Sequence, residues 1–454
     1  MPTAVVVLAA GQGTRMNSDL PKVLHSLAGA PLVAHAMRAA DAIERERLVV
    51  VTGHGGADVE AAVAEIDDTV LFARQEEQRG TAHAVRAAEA ALQGFSGDVI
   101  VLYGDTPLIR PETLEAMLAA RADGADAVVL GFQAADPTGY GRLVLDLDGS
   151  LIAIVEERDA TPAEREISLC NSGVIAADCT TLFELLGMVR NDNAKGEFYL
   201  TDVVSLARGR GLTAAVIACE EAETLGVNSR ADLAAAEAAF QARARAEALE
   251  TGITLSDPGS VWFSLDTVIG RDVEIGPSVV FGPGVTVESG AVIRAFCHLE
   301  GCHVSRGATV GPFARLRPGA ELAEDTHIGN FVEIKNAVVD AGAKVNHLSY
   351  IGDAHVGAAT NIGAGTITCN YDGVFKHHTE IGPRVFVGSN TALVAPVTVG
   401  ADAMIGAGSV VTSDVPSGAL ALARARQAIK PGLGARLMER LRAAKAAKRA
   451  GEAS

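Results

Sequence analysis

Aromatic side chains are scarce in this sequence, at 4% of 454 residues with a single Trp. Gly, at 48 residues, is plentiful. That balance suits a solenoid of thin coils better than a thick core built on large rings. Basic residues are in deficit, 38 Lys and Arg against 56 Asp and Glu, for a net charge of −18. General nucleic-acid binding and membrane-surface binding, which need a basic excess, are therefore not expected, and an anionic substrate must be held by local clusters of Lys, Arg and backbone amides. The six cysteines (Cys170, Cys179, Cys219, Cys297, Cys302, Cys369) are scattered rather than spaced as a framework, which fits reduced thiols and a cytoplasmic protein. No run approaches the roughly eighteen apolar residues of a membrane span. The opening MPTAVVVLAAG has no basic leader and runs straight into polar GQGTRMNSDLPK, so it reads as a buried first strand rather than a signal peptide.

What the sequence does have is a six-residue period. Ile269, Ile275, Phe281, Val287, Ile293 and Leu299 stand at equal steps of six, followed by Val310, Leu316, Leu322, Ile328 and Ile334, then by Ile381, Val387, Leu393, Val399, Ile405 and Val411. Such a period is neither helical nor simply alternating. It predicts short strands joined by tight turns, one aliphatic side chain per strand pointing inward and three strands closing each coil: a parallel β-helix. The phase is lost between Ile367 and Ile381, which implies a loop projecting from the coils.

At 454 residues the chain is expected to hold two domains. The stretch 1–228 alternates β-rich runs (AVVVLAAG, RLVVVTG, DVIVLYGD, DAVVLGF) with Ala-rich helical spacings, the pattern of a mostly parallel, Rossmann-like α/β sheet covered on both faces. Residues 229–252, from Ser229 to Gly252, form a strong helix with a Ser start and a Gly stop, about 35 Å of stiff linker. The hexad domain takes residues 253–454 and ends in a basic tail from Arg424 onward. In CHLEGCH, residues 297–303, two Cys and two His invite a metal reading, but Cys297 and Cys302 fall on small-residue and turn positions beside the inward Leu299.

The chemistry begins at LAAGQGTRM, a Gly-rich turn directly after the first strand, followed by SDLPK. Glycines there let backbone N–H groups approach phosphate oxygens, and Arg15 and Lys22 bring fixed positive charge. The turn has neither the glycine spacing nor the GK[ST] ending of a P-loop. With QEEQRGTAHA, LYGDTPLI, PTGYGR, IVEERDAT, CNSGV and GVNSR following in order, the segment resembles the sugar-1-phosphate nucleotidyltransferases. Together with the hexads, the whole chain resembles the bifunctional family that joins a glucosamine-1-phosphate acetyltransferase to an N-acetylglucosamine-1-phosphate uridyltransferase.

That resemblance implies acetylation of glucosamine 1-phosphate by acetyl-CoA, then transfer of UMP from UTP, giving UDP-N-acetylglucosamine for cell-wall and lipopolysaccharide synthesis. It implies Mg²⁺ held by Asp105 and Asn228, with Arg15 and Lys22 catalytic at the triphosphate. Nucleotide-sugar contacts fall on Leu8, Ala9, Ala10, Gly11, Lys22, Gln75, Gly80, Thr81, Tyr103, Gly104, Asp105, Gly141, Glu156, Asn171 and Asn228. Gln12 stands where relatives often have Lys, and Ser172 where they often have Thr.

In the hexad domain His347 is the expected general base, since deprotonating an amine or its tetrahedral intermediate suits an imidazole. The resemblance assigns Arg317, Lys335, Tyr350 and Asn361 to the acetyl acceptor, with Lys376 nearby and Glu333 as a possible orienter of His347. It assigns Ala364, Asn370, Tyr371, Ser389, Ala407 and Arg424 to acetyl-CoA, makes the β-helix left-handed and the protein a homotrimer. His377 and His378 read as loop residues. Two other readings share the same folds: a transferase whose β-helix only scaffolds or regulates, and a nucleotide-sensing subunit. The set at His347 speaks against the first, and Arg15, Lys22 and Asp105 against the second.

Overall fold

The computed structural model describes residues 1–452. It divides into two compact units, Met1–Val287 with His298–Gly301, and Glu288–Cys297 with the residues from Cys302 onward.

Nine strands make the main sheet of the first unit: β1 (Thr3–Ala9), β2 (Arg47–Thr52), β3 (Leu71–Arg74), β4 (Asp98–Tyr103), β5 (Ala127–Gln133), β6 (Arg142–Leu145), β7 (Leu151–Val155), β8 (Leu169–Asp178) and β9 (Ala214–Cys219). Their order is β9-β5-β8-β4-β1-β2-β3, with β6 beside β8 and β7 beside β6. Strand β8 runs antiparallel to both β4 and β5, while β4, β1, β2 and β3 are mutually parallel. All seven residues of β1 are buried, as continuous apolar strands covered on both faces must be. Val5, Val7 and Ala9 face helices Leu32–Ala42, Gly56–Ile66 and Pro111–Ala122; Ala4, Val6 and Leu8 face Thr81–Ala87, Cys179–Leu186 and Asp202–Gly209. Because β1 leads on to β2 on one side while its neighbour β4 leads on to β5 on the other, the two connections leave adjacent C-terminal ends in opposite directions and open a crevice there.

The helix Arg230–Glu250 starts on a reciprocal cap, in which Ser229 accepts from the Asp232 N–H and Asp232 accepts from the Ser229 N–H at 2.9 Å. Gly252, at φ +90°, follows its end. The helix is not a bare arm. Ala236 and Phe240 pack into a cluster with Met16, Leu27, Leu32, Leu108 and Val227. Gln241 donates to the Phe263 carbonyl at 2.7 Å and accepts from its N–H at 2.9 Å.

The second unit is a parallel β-helix. On one face, successive coils stack Val292–Ile293, Thr309–Val310, His327–Ile328, Lys344–Val345, Asn361–Ile362, Phe386–Val387, Met404–Ile405 and Leu420–Ala421 in a parallel ladder. Of the hexad residues all are buried except Ile269, which is half-buried. The inward column continues where the six-residue count is lost. Steps of five place Val304, Val339 and Val356 inside, and Val345, Ile351 and Ile362 fill the coils between. Ile367 faces outward at 47% exposure, and its neighbour Thr368, 1% exposed, takes the inward place. The projecting loop is thus short, closed by Tyr371 pairing with Lys376 and by the His377 N–H donating to the Asn370 carbonyl at 2.8 Å.

Coils this thin leave no slack at their edges. A Cβ built on Gly329 would sit 1.9 Å from the Asn346 carbonyl oxygen of the next coil. In the column itself, truncating one fully buried side chain removes contacts that nothing else can supply. Leu316→Ala should cost about 2–5 kcal/mol, read as a lower urea midpoint of the β-helix transition; an unchanged midpoint would mean the column does not carry the unit's stability.

Candidate functional site

Two clusters stand out, one in each unit. The first lies at the C-terminal ends of β1 and β4. The chain leaves β1 through Gly11 and Gly13, and Gly13, at φ +63°, is held so close to Lys22 that an added Cβ would lie 2.6 Å from the lysine Cβ. Lys22 therefore returns over the strand end, where its ammonium donates to Asp105, just beyond β4, and to Asn228 Oδ1 at 3.1 Å. The Val227 N–H donates to the Asp105 carbonyl at 2.8 Å, locking the GVN segment to the aspartate. One carboxylate and one amide oxygen thus converge on a single cationic nitrogen, and this all-oxygen pair fits a hard divalent cation equally well. Arg15 is exposed on the short helical turn Thr14–Met16, and Met16 anchors that turn in the core.

The loop after β3 folds over the same strand ends, with Gln78 donating to the Ala10 carbonyl at 2.6 Å. Buried Gln75 donates to the Gly80 carbonyl at 3.1 Å and meets His83 Nδ1 at 3.1 Å. Gly80, at φ +112°, presses on the Phe198 carbonyl, and Thr81 accepts from the Leu200 N–H at 3.0 Å. Gly141, Glu156 and Asn171 come together: a Cβ on Gly141 would lie 3.6 Å from both Glu156 Oε1 and Asn171 Cβ. Thr201 donates to Glu156 at 3.3 Å. Tyr103 lies between the Asp105 and Glu156 charges, and burial followed by those charges pushes its phenol well above the usual range. Gly173, at φ +93°, leaves room for the Tyr103 ring. Leu8, Ala9, Ala10 and Gly104 line the strand ends beneath these groups.

The second cluster follows one corner of the β-helix. Asn330 and His347 are register partners on successive coils, and His347 Nδ1 lies 2.8 Å from Asn330 Oδ1. The His347 carbonyl accepts from the Gly365 N–H, the Ala364 carbonyl from Asn390, the Ser389 carbonyl from Gly408, and the Ala407 carbonyl from the Arg424 guanidinium at 2.9 Å. Asn330, His347, Ala364, Ser389 and Ala407 are thus equivalent positions, each just before a corner residue of positive φ (Phe331, Leu348, Gly365, Asn390, Gly408). Above the imidazole the side chains are small, and the column ends at a guanidinium. From His347 to Ala407 is three coil steps, about 14 Å.

Beside this column sits a cluster of charged side chains. Lys376, on the short loop, meets Lys335, whose contact and charge hold the Lys376 ammonium below the usual lysine range. Asp353 lies beneath both. Its burial works against ionisation, but the Asn336 and Asn370 amides and the two lysine charges outweigh it and hold the carboxyl below the usual range. Asn370 also reaches the Tyr350 hydroxyl at 3.4 Å, so its side chain groups with Tyr350 and Asp353. Arg317 donates to Glu333 at 2.8 Å. Glu333 is therefore not the partner of His347; Asn330 is. Tyr371 is exposed on the loop, its hydroxyl on the Gly373 carbonyl, and Asn361 pairs with Lys344 on the strand after that of His347. His377 bonds Asp372 at 2.7 Å and, with backbone amides of the loop, pulls that carboxyl down to about 2. A cavity of about 340 Å³ opens next to His347, lined also by Asn330, Phe331, Phe313, His327 and Arg294. Asn330, Asp353, Thr201 and this cavity escaped the sequence reading. The coil repeat was the one signal for Asn330, which lies 17 residues before His347.

A MobA-like NTP transferase domain is matched over residues 5–162, and bacterial transferase hexapeptide repeats over residues 266–301 and 378–413. The repeat and the parallel ladders together make the second unit a left-handed β-helix. The chain is 66% identical to the bifunctional protein GlmU of Ruegeria sp. (strain TM1040), over 99% of this chain and 100% of that one. It is 65% identical to that of Paracoccus denitrificans, over 97% and 98%. A solved UDP-glucose pyrophosphorylase complexed with UDP-glucose aligns over 54% of this chain and all of its own, at 20% identity and TM-score 0.44.

Burial holds the Glu156 carboxyl above the usual carboxylate range, partly offset by the Thr201 hydroxyl. A folded-state value above the unfolded one favours the fold below the unfolded value, and that contribution is lost as pH rises through the folded value. Glu156→Gln, which cannot ionise, should therefore raise the melting temperature of the ligand-free protein at pH 7.5 relative to wild type, and less so at pH 4. Melts showing an equal difference at both pH values would contradict a carboxylate made costly by burial.

Proposed function

Since this chain belongs to the GlmU family of bifunctional transferases, we propose that its two clusters are the seats of that family's two reactions. The protein acetylates glucosamine 1-phosphate with acetyl-CoA and transfers UMP from UTP to N-acetylglucosamine 1-phosphate, releasing pyrophosphate. On this reading residues 1–228 carry uridylyl transfer, 229–252 are the linking helix and 253–454 carry acetyl transfer.

Acetyl transfer belongs at the corner column. The amine of the sugar phosphate attacks the thioester carbonyl, the C–S bond breaks, and His347 Nε2 takes the proton that the nitrogen loses. The floor of Ala364, Ser389 and Ala407 admits a long extended thioester, and Arg424 meets the anionic end of CoA. Lys335 and Lys376, with Arg317, bind the phosphate, and Tyr350, Asn361 and Asn370 contact the sugar. The two ammonium groups repel one another, and a phosphate between them relieves that repulsion. The observation that carries this reading is the single column joining His347 to Arg424 past small side chains.

Uridylyl transfer belongs at the β1 and β4 ends. A phosphate oxygen of the sugar attacks the α-phosphorus of UTP as the bond to the β-phosphate breaks, and no enzyme nucleophile is required. Arg15 and Lys22 face the phosphates, Gln75, Gly80 and Thr81 the uracil, and Gly141, Glu156 and Asn171 the N-acetylglucosamine. Asp105 and Asn228 would hold Mg²⁺, which when bound neutralises phosphate charge. The substrates are cytoplasmic metabolites, and the reading puts the enzyme there. Among the described residues no helix is long and apolar enough to cross a membrane. Exposed Phe296, Phe313, Phe331 and Leu348 make an apolar ridge beside the His347 cavity, which supports a homotrimer assembled along the coils.

The two sites share no residue, so the activities should separate. His347→Ala should lower acetyl transfer at least about a hundredfold while leaving uridylyl transfer within about twofold, and Asp105→Ala should do the reverse. Release of CoA thiol and of pyrophosphate measure the two. Equal loss of both activities in either variant contradicts the assignment.

A further inference from the structure

We infer that Asn330 is a positioning residue for acetyl transfer, fixing the tautomer and the aim of the His347 imidazole; the inference rests on the reading of His347 as the base. Nδ1 of His347 lies 2.8 Å from Asn330 Oδ1. A carbonyl oxygen can only accept, so Nδ1 carries the proton and the lone pair is left on Nε2, free to receive one from the acceptor amine. With the amide turned the other way its N–H₂ would face Nδ1, the proton would sit on Nε2, and the imidazole could not act as a base there.

The pairing is built into the coil. Asn330 and His347 are direct register partners, each the last residue before a corner of positive φ, at Phe331 (+56°) and Leu348 (+51°). The Leu348 N–H donates to the Asn330 carbonyl at 3.0 Å, so the backbone that presents one side chain holds the other. Gly329 admits the close approach of the next coil that brings them into contact. The nearby carboxylate of Glu333 is occupied by Arg317.

An amide and a carboxylate orient an imidazole alike but differ in charge. A carboxylate would stabilise imidazolium and lower the fraction of free base near neutral pH; a neutral amide sets the tautomer without that penalty. The other charged or titratable groups around this cavity are Arg294 and His327, so among the described residues no carboxylate lines it. Asn330 thus suits a base that must be unprotonated when the amine arrives.

Four full-length variants test this: Asn330→Ala, Asn330→Leu, Asn330→Asp and His347→Ala, each assayed for both activities across pH 5.5–9. Asn330→Ala and Asn330→Leu should lower kcat for acetyl transfer about tenfold to a hundredfold, leave KM for both substrates near wild type, and leave uridylyl transfer unchanged. Asn330→Asp should recover most of the loss at alkaline pH, with the acidic limb of its kcat profile moved up by about one pH unit. If His347→Ala is inactive in acetyl transfer while Asn330→Ala keeps full kcat, or Asn330→Asp keeps the wild-type profile, the positioning role is overturned and the base reading stands. If His347→Ala retains acetyl transfer, the base reading fails, and the inference with it.

Discussion

The cluster at His347 depends on one constraint, the fixed spacing of a parallel backbone ladder. Adjacent coils are held about 4.8 Å apart, and equivalent corner positions repeat one above another. Any side chain placed before a corner is therefore aligned with its counterparts above and below. His347 is one such position, Asn330 is the one beneath it, and Ala364, Ser389 and Ala407 are those above. The column of inward Val, Ile and Leu stabilises the coils without involving the outer corner, which leaves that corner free to carry chemistry. Geometry that a globular enzyme assembles from several loops is here inherited from repetition.

The transferase unit uses a different device. Its site lies where connections diverge from neighbouring strand ends, and glycine allows the chain to press close. Gly13 brings Lys22 over the strand end, Gly80 lets the loop after β3 pack on the Phe198 carbonyl, and Gly173 makes room for Tyr103. Both sites share one electrostatic feature. In a protein of net charge −18, cationic groups are concentrated at both clusters, as Lys22 with Arg15 and as Lys335 with Lys376. The lysine pair is kept under mutual repulsion that an anion between them would relieve, a local preference for anions that needs no basic surface.

Much of this was legible in the sequence because it is local. A Gly-rich turn after an apolar strand, an Asp closing another and a six-residue aliphatic period each announce themselves within a few residues. The rest is a matter of counting and of distance. Steps of five at Val304, Val339 and Val356 shift the phase, so a count of six loses the column where it continues. Ile367 has the residue type for the interior, yet the loop that follows leaves Thr368 inside. The Lys22, Asp105 and Asn228 cluster joins residues up to 206 positions apart, and only the family resemblance had united them. Glu333 was the natural carboxylate to orient His347, but two arginines claim it, and the true partner is a neutral Asn one coil away.

The corner column from His347 to Arg424 is proposed as the path of the thioester. A crystal structure of His347→Ala with acetyl-CoA and glucosamine 1-phosphate bound tests it most directly. CoA should lie extended along Ala364, Ser389 and Ala407, its thioester carbonyl beside position 347 and the sugar phosphate between Lys335 and Lys376. Density for CoA along another corner, with this column in contact only with solvent or protein, would contradict it.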